Sequence, residues 1–222
     1  MKFFYAVTLR RPQASLAVPP MRQAQKLPEI LSREEVERIV AATRSRRERV
    51  VLMAAYGSGL RVSEVVALRP GDIDVERGVI RVEPGKGRKD RYTVLAERLV
   101  RELAQCYEVY GRPEHWVFPQ RRDAARHMDS TSAQKIFYAA KRRAGIEKQG
   151  GIHSLRHGFA THSLEAGLDL PTLGRMLGHT SVTTTMRYLH TTTKRVSAQV
   201  SPLDRLLLGQ PPADEPPTPR TT

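Results

Sequence analysis

Residues 153–190 read HSLRHGFATHSLEAGLDLPTLGRMLGHTSVTTTMRYLH, and the intervals between their histidines, arginine and tyrosine decide how the chain is read. His153 and Arg156 are three residues apart, about one helical turn, so both side chains can address one spot from the start of a helix. His179 and Tyr188 follow after a short helix and a turn. A tyrosine hydroxyl, with a phenol pKa near ~10, is a poor nucleophile at neutral pH, and a site that uses one needs cations close by to favour the phenolate. Those cations stand in the same stretch.

Upstream, Ser32 is followed three residues later by Glu35, a capping box that opens a helix carrying Val36, Ile39 and Val40 at helical spacing. Arg49–Tyr56, with the apolar run VVLMAAY, predicts a central core helix ended by Gly57-Ser58-Gly59. Arg61 opens a third helix, RVSEVVAL, in which Arg61 and Glu64 share the polar face. Pro70–Asp74 predicts a turn. VIRV from Val79 and YTVL from Tyr92 predict a small antiparallel sheet around the basic loop PGKGRKDR. Ala96–Gly111 and Ser132–Ala144 predict two more helices, with HWVFP as a short buried segment between them. The second helix turns Ile136, Phe137 and Ala140 inward and Lys135, Lys141, Arg142 and Arg143 outward, toward backbone phosphates that position a protein without specifying sequence. The class is therefore α+β, mostly helical with one small sheet. The run from Arg121 to Arg126 reads equally as a phosphate contact or as a solvated loop.

The bulk composition narrows the partner. A formal charge of +14 over 222 residues points to a polyanion, nucleic acid first. The hydrophobic content of 40% supports a real core. No apolar run approaches the ~20 residues of a membrane span, and Arg10 and Arg11 cut short the apolar start before any signal-peptide cleavage site. The single cysteine, Cys106, excludes an intrachain disulfide and a multi-cysteine zinc site and fits a reducing cytosol, so a cytoplasmic location is expected. Gly85-Lys86-Gly87 lacks the spacing and the following Ser or Thr of a P-loop, so no nucleotide cofactor is expected.

His153-x-Leu155-Arg156-His157, then Leu177-Gly178-His179, then Tyr188 nine residues on, closely resemble the second catalytic box of the tyrosine recombinases, the phage-integrase family. GLRVSE, about ninety residues ahead, resembles the first box. Arg-x-x-Glu alone reads as a surface ion pair worth roughly 0.5 kcal/mol; its position before the second box is what marks Arg61. The resemblance covers residues 29–190 and implies six catalytic residues: Arg61, Lys86, His153, Arg156, His179 and Tyr188. By it, both arginines grip the scissile phosphate, and Glu64 helps hold its helix. Lys86, in the hairpin, protonates the leaving 5'-oxygen, and His179 donates a hydrogen bond to the phosphoryl group. His153 accepts the tyrosine proton, and Tyr188 forms a 3'-phosphotyrosyl link. Arg88, Lys89, Arg91, Lys135, Lys141 and Arg142 are the expected DNA contacts. His157 is read as bracing its helix without touching substrate, and His162 and His190 as packing or surface groups. No metal or other cofactor is implied.

For the chain's layout the resemblance implies a remnant of a core-binding domain helix at residues 1–11 and a linker at 12–28. The catalytic domain then runs over 29–208, with a disordered tail at 209–222. A helix around Val196–Leu208 packs either into a neighbouring subunit or onto its own domain. The expected partners are double-stranded DNA and further copies of the chain in a tetrameric synapse. Three other readings compete. A type IB topoisomerase religates the same strand, and a catalytically idle DNA-binding fragment would lack activity with its front domain missing. A zinc hydrolase would need ligands around His153 and His157, yet no Glu follows His153 as in His-Glu-x-x-His.

Overall fold

The computed structural model describes residues 29–83, 90–179, 181–186 and 188. The expected remnant helix, the linker, the loop bearing Lys86, Arg88 and Lys89, and the C-terminal helix and tail lie outside the described residues. Within them, α1 (Arg33–Ala41), α2 (Arg46–Gly57) and α3 (Val62–Val66) lead into a single 3-10 turn at Pro70–Asp72. Strands β1 (Ile73–Asp74), β2 (Val79–Val82) and β3 (Arg91–Val94) follow, then α4 (Glu97–Tyr110), α5 (Ser130–Arg143), α6 (His153–Glu165), α7 (Leu170–Leu177) and α8 (Val182–Met186). The architecture is mostly helical with one small antiparallel sheet, as the sequence predicts.

The capping box forms as expected: the Ser32 hydroxyl accepts from Glu35 N, and the Glu35 carboxylate accepts from Ser32 N at 2.7 Å. Helix α4 buries Leu99, Leu103 and Cys106, a stripe at helical spacing, against α2. Gly111, at φ +80, takes its C-terminal cap, a left-handed position that costs other residues strain. The sheet has one strand more than predicted. Residues 73–74, expected within a turn, pair antiparallel with β2, so that the order is β1-β2-β3. Of HWVFP only Val117 and Phe118 are buried, while His115 stays in solvent. The outward face of α5 also departs from expectation at two places. Lys141 donates to the Lys148 carbonyl, and Arg143 donates to the Ala42 carbonyl at 2.6 Å and pairs with Glu48.

Two apolar clusters result among the described residues. The larger joins α1–α5, the sheet and the first turn of α6 around Leu52, Ile80, Phe118 and Phe137. The smaller gathers Phe159, Ala160, Leu164, Leu173 and Leu177, and Tyr188 is part of it. Helix α6 runs between them and buries residues on nearly every face, Leu155, Arg156, Phe159, Ala160 and Leu164 among them, as a central helix must. Among the described residues no helix is long and apolar enough to cross a membrane.

Candidate active site

Two left-handed glycines frame the site. Gly59, at φ +61, follows α2, and Gly178, at φ +64, caps α7. A Cβ on Gly59 would meet the Phe159 ring at 2.4 Å, and one on Gly178 would meet the Arg91 side chain at 2.8 Å. The backbone can therefore turn and close in only without a side chain at either place. The close approach presents carbonyl oxygens to guanidinium groups. Arg156 Nη1 donates to the Gly59 carbonyl and its Nη2 to the Leu177 carbonyl, both at 2.6 Å. Arg61 Nη2 reaches the Gly178 carbonyl at 3.4 Å.

Glu64 ties the arginines together from the first turn of α3. Its Oε1 accepts from Arg61 Nη1 at 2.8 Å, and its Oε2 accepts from Arg61 N at 2.8 Å and from Arg91 Nη2 at 2.7 Å. The same Oε2 lies 3.8 Å from Arg156 Nη1. Burial pushes the Glu64 carboxyl up, but the hydrogen bonds from Arg91 and Arg61 outweigh it and hold the pKa below the ordinary carboxylate value. Arg156 is 5% exposed; burial first, and the nearby Arg61 cation second, lower its pKa to about 10, which leaves it charged at neutral pH. Three guanidinium groups against one carboxylate leave the cluster strongly positive.

Tyr188 stands against α6 beside this cluster. Its side chain is buried, at 3% exposure, and its hydroxyl stands 2.9 Å from His157 Nδ1. The phenol ring stacks on the His179 ring at 6.3 Å between centroids with only 10° between planes. His179 Nδ1 pairs with the hydroxyl of Thr185, itself 1% exposed, at 2.8 Å, which fixes the ring with Nε2 turned toward Arg156 at 3.4 Å.

Of the expected residues, then, Arg61, Arg156, His179 and Tyr188 converge on one place. His153 stands exposed at the first position of α6, one turn before Arg156. Lys86, Arg88 and Lys89 fall outside the described residues. Lys135 and Arg142 are exposed on α5, whereas Lys141 is engaged with Lys148. Arg91, expected among the DNA contacts, has a side chain only 11% exposed; it pairs with Glu64, and its Nε donates to the Met176 carbonyl at 2.9 Å. It belongs to the inner cluster and not to a basic surface, because β3 points it under α7. His157, expected to brace its helix, stands at hydrogen-bond distance from the tyrosine hydroxyl. Thr185 went unread, as a hydroxyl in a TTT run carries no local sign of a histidine partner. Among the described residues no group of three or more His, Cys, Asp or Glu side chains is placed to hold a metal ion.

Comparison with known proteins follows the same lines. The family model described as "Phage integrase family" matches residues 29–195. Two Sinorhizobium fredii proteins designated integrase/recombinase, y4qK and y4eF, are each 40% identical to the chain over 98% of its length, covering 70% and 86% of their own. Tyrosine recombinase XerA of Thermococcus kodakarensis is 35% identical over 86% of this chain and 69% of its own. Among solved structures, a XerA recombinase superposes with a TM-score of 0.68 at 29% identity, covering 88% of this chain and 78% of its own. A XerH site-specific recombinase in a post-cleavage complex with a palindromic difH substrate gives 0.67 at 26% identity, covering 78% and 52%.

Proposed function

The chain belongs to the phage integrase family, and from that premise we propose that it recombines duplex DNA by strand cleavage and exchange through a phosphotyrosyl link at Tyr188. The observation that carries the reading is the Tyr188 hydroxyl held 2.9 Å from His157 beside the Arg61–Arg156 cluster. The Tyr188 oxygen attacks the scissile phosphorus, leaving a 3'-phosphotyrosyl link and a free 5'-hydroxyl. A 5'-hydroxyl from a partner duplex then attacks that link and releases the tyrosine. The energy of the phosphodiester is conserved through the covalent link, so ATP has no part in the scheme.

Each residue's part follows from its chemistry. Arg61 and Arg156 are forks charged at neutral pH; the carbonyls of Gly59, Leu177 and Gly178 and the Glu64 carboxylate take only some of their five N–H groups each, and the remainder serve phosphoryl oxygens. They supply the positive charge that a metal ion supplies in other phosphoryl-transfer enzymes. In the contact with Arg156, His179 Nε2 accepts; with a phosphoryl group bound there instead, the Thr185 hydroxyl can donate to Nδ1 and leave the ring hydrogen on Nε2 to donate to that group. Lys86 serves as donor to the leaving 5'-oxygen, and His153, to which the family resemblance gives the tyrosine proton, stands exposed one turn before Arg156. Arg88 and Lys89 contact the backbone beside the hairpin, Lys135 and Arg142 along α5. Catalysis within a tetrameric synapse and a cytoplasmic location complete the reading.

Two duplexes carrying the chain's own site and differently labelled test it. Recombinant strands joining the two labels are expected, whereas rejoining of each strand only to itself would replace exchange by topoisomerase-type chemistry.

A further inference from the structure

We propose that His157 is a catalytic residue, the group that orients the Tyr188 hydroxyl and takes its proton during cleavage. The inference rests on Tyr188 being the nucleophile. The geometry is direct: His157 Nδ1 and the Tyr188 hydroxyl are 2.9 Å apart, and the two rings meet at 5.7 Å between centroids with 47° between planes. A neutral imidazole whose hydrogen is on Nε2 presents Nδ1 as acceptor, and the phenol has the proton to give. His153 is four residues earlier on α6, about 6 Å along the axis, and is exposed. The proton-accepting role that the family resemblance gives to His153 is thereby assigned to His157, the histidine that touches the nucleophile.

The Tyr188 ring lies in a mostly apolar cluster, and a neighbouring base within hydrogen-bond reach is what general-base catalysis requires. Among the described residues, the charged and titratable groups around this turn of α6 include His153 and Arg156 on the helix itself, Arg61 and Glu64 from α3, Arg91 from β3 and His179 after α7. The proton moves as the bond to phosphorus forms. The step balances: the Tyr188 O–P bond forms, the P–O5' bond breaks, the phenol proton passes to His157 Nδ1, and the leaving 5'-oxygen takes a proton from a separate donor, assigned above to Lys86. In the return step the 5'-hydroxyl gives its proton back to that donor, and the departing tyrosine recovers its own from His157.

Single-turnover cleavage of a nicked suicide duplex, measured across pH for His157→Gln, His157→Phe and His157→Ala, tests the assignment, with the adduct mapped by peptide in each case. Cleavage should slow by about 10²-fold in all three. The rising limb of the wild-type profile, set by an imidazole, should give way to a rate that climbs with hydroxide throughout, and free imidazole should restore part of the His157→Ala rate. A bracing role alone would change neither the profile nor the response to imidazole. Wild-type rates with an unchanged profile, or a folded His157→Ala protein that imidazole leaves unaffected, would overturn the proposal. An adduct mapped away from Tyr188 would overturn it by a different route, through the nucleophile.

Discussion

Glu64 and Arg91 meet at 2.7 Å with 13% and 11% of their side chains exposed, which makes a nearly buried ion pair the link between α3 and the sheet. The same carboxylate holds Arg61 and lies near Arg156, so one anion from the first turn of a five-residue helix sets the positions of three cations.

Glu64→Gln should therefore cost stability and activity together. Removing one partner of a buried pair typically costs about 3–5 kcal/mol, because the remaining charge is left without compensation. Since the Glu64 pKa is depressed in the folded state, its contribution is fully present above the ordinary carboxylate range. It is lost as pH falls through the lower folded value. Urea unfolding at several pH values should show an acid-side loss in the wild type that is reduced in Glu64→Gln.

His162 produces a second acid-side effect. It is 8% exposed, and its Nδ1 stands 2.9 Å from the Tyr56 hydroxyl, joining α6 to α2. Burial, reinforced by the Arg33 cation, holds its pKa below the ordinary histidine value. The unfolded chain thus takes up a proton near pH ~6.5 that the folded chain refuses until lower pH, and stability falls as pH drops through that window. Thermal midpoints between neutral pH and pH 5 should decline in the wild type and decline less in His162→Gln.

Arg156→Lys keeps a charge but cannot span the Gly59 and Leu177 carbonyls with two nitrogens. Cleavage should drop by at least ~10²-fold, measured as covalent product per unit time under saturating DNA. EDTA should leave the wild-type rate where it was.

How far the sequence could be read divides along the range of each interaction. The capping box of Ser32 and Glu35, the core run of α2 and the apolar stripe of α4 are local, and periodicity or a three-residue spacing reveals them. The order Arg61, Arg156, His179, Tyr188 was likewise visible as a pattern along the chain. Arg91 was not, because a basic residue beside a basic loop looks solvated until its partner, 27 residues away on another element, is known. His157 escaped for the same reason, since its partner is 31 residues on and only the fold brings them together. The short strand at 73–74 forms because β2 is there to pair with it, and its own two residues carry no alternating pattern to announce it.

The central claim is that Tyr188 is the nucleophile, and proteolysis of the protein trapped on a nicked duplex, followed by mapping of the DNA-linked peptide, tests it most directly. The linked residue should be Tyr188, and Tyr188→Phe should bind the duplex as tightly as the wild type while forming no adduct. An adduct on Tyr92, Tyr107 or Tyr138, or one that persists in Tyr188→Phe, would contradict the account.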